Sequence, residues 1–101
     1  MQADYPAEFR REQGFTERDW LRCLPGAVRD HPLDLARPGQ AQVQIGSGTL
    51  TLSWQALPPR SVALMRMPRL GVHYRFDAGV SEAERLAFMR YFDLYTMRGG
   101  G

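Results

Sequence analysis

Lysine is absent from this chain, and all 13 basic residues are arginine. Without lysine there is no Gly-x-x-x-x-Gly-Lys phosphate loop. An all-arginine set suits bidentate contacts to phosphate. The arginines are spread evenly, however, and the formal charge of +2 is a weak electrostatic footprint. The codon bias of a GC-rich bacterial genome accounts for the composition more simply. Cysteine is nearly absent, and the single thiol, Cys23, excludes an internal disulfide framework. No apolar run approaches the ~20 residues that cross a bilayer. Met1 to Gly14 carries no apolar core of a signal peptide. These absences together lead us to expect a cytoplasmic protein without a membrane partner. The motifs H-E-x-x-H, C-x-x-C and G-x-S-x-G are also missing.

What is present fits one small globular domain of 101 residues, 44% hydrophobic and 24% charged. Residues 1–14 read as an N-terminal arm, either loose or docked as an edge strand by Tyr5 and Phe9. Residues 15–98 read as a single α+β domain, and 99–101 as a flexible glycine tail.

Phe15 to Leu24 has the punctuation of a helix. Thr16 is placed to cap it, and Phe15 with Trp20 matches a hydrophobic staple. Pro25-Gly26 is expected to end it. Ala27 to Gln40 reads as a connecting loop, broken by Pro32 and Pro38-Gly39. Ala41 to Gln55 alternates apolar and polar residues around Gly46-Ser47, which fits a two-residue hairpin turn. That turn sets Val43 opposite Leu50 and Ala41 opposite Leu52, with Trp54 on the inner face.

Ser61 to Asp77 is expected to form a second hairpin, turning at Pro68-Arg69 because proline suits the second turn position. The inner face would then hold Ala63, Met65, Met67, Leu70, Val72, Tyr74 and Phe76. The outer face would hold Val62, Leu64, Arg66, Gly71, His73, Arg75 and Asp77. Val80 to Met97 reads as a long helix with a capping box at Ser81 and Glu84. Phe88, Tyr91, Phe92 and Tyr95 follow helical spacing, backed by Leu94. The fold expected from these elements is α+β: a four-stranded antiparallel meander with two helices on one face, in the order α-β-β-β-β-α.

Candidate chemistry is sparse. Cys23 lies beyond a Pro-Gly turn from His31, a spacing that matches no nucleophile–base signature. Asp30, His31 and Asp34 are close in sequence but poor in the histidine and cysteine that metal loops use. No metal and no cofactor is expected. Trp20-Leu21-Arg22-Cys23-Leu24-Pro25-Gly26 resembles the helix before the first strand of helix-grip ligand-binding proteins, over that segment alone, and no function is carried across from it.

The most suggestive group is the outer face, with Val62, Leu64, Arg66, His73 and Arg75 as candidate binding residues. Arginines beside hydrogen-bonding neighbours can hold phosphate or carboxylate. Val62 and Leu64 are exposed aliphatics that can seed a protein contact. The expected role is therefore a small non-enzymatic binding or accessory module acting through this face. Its expected partner is another protein or a second copy. The alternative is a nucleic-acid-binding protein using the arginines, which the inward-facing aromatics disfavour, since sheet-type readers of single strands expose theirs.

Overall fold

The computed structural model describes residues 5–98, so the expected glycine tail at 99–101 lies outside the described residues. The chain is α+β. Its elements are β1 (Glu8–Gln13), α1 (Glu17–Ala27), β2 (Leu33–Asp34), β3 (Gln40–Ile45), β4 (Gly48–Val62), β5 (Met65–Phe76) and α2 (Glu82–Arg98). The strands form one antiparallel sheet in the spatial order β1-β5-β4-β3-β2. The expected four-stranded meander is thus corrected to five strands. Residues 8–13 supply one edge by pairing with β5, and the supposed loop contributes a two-residue strand at the other.

The β3–β4 hairpin follows its alternation. Val43 faces Leu50, Ala41 faces Leu52, and the turn is Gly46-Ser47, with Gly46 in the left-handed region at φ +58°. Only glycine enters that conformation without a steric cost, which is why the turn falls there. Helix α1 starts where Thr16 accepts a hydrogen bond from the Asp19 amide at 3.1 Å. It does not stop at Pro25-Gly26, but runs to Ala27 and closes on Val28. Helix α2 opens on a reciprocal capping box. The Ser81 amide donates to Glu84 Oε1 at 2.9 Å, and the Glu84 amide donates to Ser81 Oγ at 3.1 Å.

Both helices cover the same side of the sheet. Trp20 meets Trp54 and Phe92 edge-on, and Phe88 and Phe92 reach Phe76 and Tyr74. Leu50, Leu52, Leu70, Val72 and Tyr74 complete this core from the strands. Each large side chain buried there contributes about 1.5–3 kcal/mol. On α2 the buried partners of Phe88 and Phe92 are Met89, Asp93 and Thr96, whereas Leu94 and Tyr95 are exposed.

The second hairpin departs most from expectation. β4 and β5 turn at Ala63-Leu64, not at Pro68-Arg69, with Val62 paired to Met65 and Ala63 at φ +53°. Pro68 lies inside β5. It can do so because the register jumps there, from Leu57–Arg69 to Arg60–Met67. This bulge places Pro58 and Pro59 across from Pro68, where the ladder is interrupted and a missing N–H costs little. As a result Met65 and Met67, expected in the core, are exposed.

Candidate functional site

The helices leave the other side of the sheet open. Cross-strand register lays its side chains in rows. Arg10, His73, Ser53 and Gln40 form one; Glu8, Arg75, Thr51 and Gln42 another; Glu12, Gly71 and Gln55 a third. Residues directly opposite share a face. Gly71 has no side chain, and a shallow depression of about 580 Å³ opens above it, rimmed by Arg10, Glu12, Ser53, Gln55 and His73.

The charges on this face are partly tied. His73 Nε2 sits 2.7 Å from Glu8 Oε2. Arg69 forks onto Glu12, donating Nη2–H at 2.8 Å and Nε–H at 3.1 Å, and Arg60 lies 3.7 Å from the same carboxylate. The Arg69 hydrogen bond holds the Glu12 carboxyl below its ordinary value and raises the Arg69 guanidinium. Ser53 faces His73 across the strands, yet no hydrogen bond joins them among the described residues. The contact by which a base activates a serine is therefore missing. Cys23 is buried, and burial raises its thiol pKa, which suits an inert filler. Among the described residues no three His, Cys, Asp or Glu side chains could hold a metal ion together. His31 instead sets Nδ1 3.1 Å from the Gln44 carbonyl, and Asp34 accepts from the Ala36 amide.

Beyond the pairs Gln13–Leu70 and Gln40–Ser53, β4 and β5 continue with no strand beside them. Clear of both neighbours, the two strands project as a ribbon of four register pairs from Leu57–Arg69 to Val62–Met65, ~17 Å long, and help stretch the molecule to 46 × 31 × 20 Å. Parity along β5 gives the ribbon two unlike faces. Val62, Met65 and Met67 lie on the side continuous with the open sheet face, whereas Arg66 and Ser61 lie on the side of the helices. Val62 is 51% exposed, Met65 66%, Met67 47%, and Leu64 at the tip is fully exposed. A stretch running from Asp34 to Asp77 contains five arginines and no carboxylate side chain between those two residues.

The five candidate binding residues are thus distributed unevenly. His73 and Arg75 stand on the open face at the sheet's centre. Val62 shares that face on the ribbon, Leu64 occupies the turn, and Arg66 is on the opposite face, so it does not join the group. Seven residues along β5 separate Arg66 from His73, ~23 Å. Arg10 and Glu12, both on this face, escape a reading in which residues 1–14 are a separate arm. Their alternation with Phe9 and Arg11 is the signal that points to a strand.

Among the described residues, no helix is long and apolar enough to cross a membrane. Comparisons with protein-family models, with curated proteins and with solved structures found no match. The fold is an α+β domain with one sheet face covered by helices and the other extended by a two-stranded ribbon.

Proposed function

We propose that this chain is a small non-enzymatic accessory module that binds another protein chain through its open sheet face and the ribbon continuing it. One observation carries this reading. Val62, Met65 and Met67 stand together and exposed on an unsupported ribbon, on one face of it. A two-stranded hairpin is marginal in water, and clustered exposed aliphatics mark contact surfaces. A reducing compartment such as the cytoplasm suits a domain whose one thiol is buried.

Nucleic acid is the second reading, favoured by the carboxylate-free stretch between Asp34 and Asp77. Against it, Arg66 is the sole charge from Ser61 to Pro68, and Arg60 and Arg69 are tied to Glu12.

The test uses tagged wild type and a Val62→Ser/Met65→Ser/Met67→Ser variant as baits in the producing cells, with folding checked by circular dichroism. Associated chains other than untagged copies should be retained by the wild type and lost by the variant. Equal capture by both baits would count against the reading. Salt-sensitive binding of a labelled duplex, with steep loss on adding salt, would favour nucleic acid instead.

A further inference from the structure

We infer that this chain pairs with a second copy of itself along the free edge of β1. The two strands run antiparallel about a two-fold axis at Phe9, and the two sheets continue as one. The contact leaves the ribbon free and stands apart from the partner face proposed above.

The edge is the first observation. The Ala7 carbonyl accepts from the Phe76 amide, so Phe9, Arg11 and Gln13 aim their backbone groups at β5. Glu8, Arg10 and Glu12 aim theirs outward, and among the described residues no strand meets them. Proline and bulges, which blunt natural edges, do not occur between Glu8 and Gln13. Charges do occur there, and they select the register of pairing.

A residue on a two-fold axis meets its own duplicate. An axis at Glu8, Arg10, Arg11 or Glu12 therefore sets like charges together, and an axis between residues sets outward backbone groups against inward ones. An axis at Phe9 avoids both. It places Glu8 of each copy opposite Arg10 of the other, as two hydrogen-bonded pairs flanking the closer Phe9 pair. Arg10 makes no ion pair among the described residues of the single chain, and here it gains a carboxylate. Glu8 holds His73 through Oε2. Phe9, only partly buried in the single chain, gains a second ring.

The helices are the second observation. Helix α2 lies over β1 and β5, since Asp93 reaches Arg11 and Phe92 reaches Tyr74. Pairing along β1 sets its duplicate two strand spacings away, ~9.5 Å. Helices pack at about that distance. Phe9 stacks on Tyr74, so the axis passes near Phe92 and the two helices run antiparallel. Leu86 and Met97 share the Asp93 side of α2 by helical spacing, six residues before Phe92 and five after it. Leu86 of one copy thus comes to Met97 of the other, which is 69% exposed in the single chain. Arg90, on the same side, comes beside Asp93 of the other copy and not its own duplicate.

The experiment is sedimentation of the full chain over a concentration series reaching the high micromolar range, with folding checked by circular dichroism. Wild type should shift from monomer to dimer. Arg10→Glu sets carboxylate against carboxylate at both pairs and should weaken the dimer by about tenfold or more. The Glu8→Arg/Arg10→Glu double variant restores opposite charges across the axis and should dimerise again. Phe9→Cys should form an intermolecular disulfide on mild oxidation, because its opposed Cα atoms lie ~4.5 Å apart, within disulfide reach. Arg66→Cys, out on the ribbon, should not. Wild type that stays monomeric throughout overturns the inference. So does a dimer untouched by Arg10→Glu, a double variant as weak as the single one, or a folded Phe9→Cys that fails to crosslink. Dimerisation that survives Val62→Ser/Met65→Ser/Met67→Ser supports it, and dimerisation lost there overturns it. Neither result decides whether the ribbon captures another chain.

Discussion

Arg11 on β1 and Asp93 on α2, 82 residues apart in sequence, form a bidentate ion pair inside the covered face. Arg11 Nη1–H donates to Oδ1 at 2.6 Å and Nη2–H to Oδ2 at 3.0 Å. Tyr5 O–H also donates to Asp93 at 2.5 Å, and the guanidinium lies 5.1–5.7 Å from the ring centres of Tyr5, Phe9 and Tyr74. The pair ties the first strand to the last helix and so closes the chain's two ends onto one core. The guanidinium stays charged. Burial opposes its charge, and the Asp93 hydrogen bond together with nearby charges more than offsets that.

Asp93 is buried, and removing its carboxylate takes away both hydrogen bonds from the half-buried Arg11 and the one from Tyr5. Asp93→Ala should therefore cost about 3–5 kcal/mol in chemical denaturation. A loss within about 0.5 kcal/mol, typical of exposed positions, would mean that β1 is not held to α2 by this contact.

The same cluster makes stability sensitive to alkali. Burial, then the hydrogen bond to Asp93, raises the Tyr5 pKa above its ordinary 10.0. Burial raises Tyr74 as well, against a lowering by Arg11. For a group raised on folding, the folded state holds its proton when the unfolded state has released it. Stability is then complete below the unfolded value of about 10 and falls as pH climbs through the folded one. Denaturation midpoints should decline above pH ~10, and a Tyr5→Phe/Tyr74→Phe variant should show a shallower decline. Parallel pH profiles for the two proteins would contradict the assignment.

Ala63 carries a left-handed backbone at φ +53° in the ribbon's turn. That conformation costs an L-residue about 1–2 kcal/mol, which glycine avoids. Glycine gives back about 0.4–1 kcal/mol through greater freedom in the unfolded chain. Ala63→Gly should leave stability unchanged or raise it by up to about 1 kcal/mol. A clear destabilisation would move the turn away from Ala63-Leu64, toward Pro68-Arg69.

That turn is also where the sequence misleads, and the reason is physical. Hairpin turns announce themselves through glycine, asparagine or proline. Gly46-Ser47 did so, and with clean alternation on either side the β3–β4 pairing was legible residue by residue. The Ser81–Glu84 box made α2 equally plain. Ala63-Leu64 carries no such residue, while Pro68 does, so the stronger local signal lay five residues from the true turn. Leu70, Val72, Tyr74 and Phe76 kept their inner face because β5 itself has no bulge. Met65 and Met67 changed face with the turn. Of the candidate site, His73, Arg75 and Val62 were readable as outer residues and Arg66 was not. Arg11 and Asp93 were invisible because a charged side chain reads as exposed until a distant partner is known. The pairing of β1 with β5 joins residues near opposite ends of the chain, which no local pattern specifies.

The ribbon face can be watched directly through its methionine methyl groups. Met65 and Met67 lie on it, and Met89 is fully buried in the core. Methyl NMR spectra of the intact protein, recorded with and without the chains captured by the wild-type bait, separate these environments. With a partner chain seated on the ribbon, the Met65 and Met67 methyl resonances shift on that addition, Met89 does not, and Leu64→Ser reduces the shifts. Resonances of Met65 and Met67 that hold still on adding the captured chains, or that move only together with Met89, would contradict the assignment of this face to partner binding.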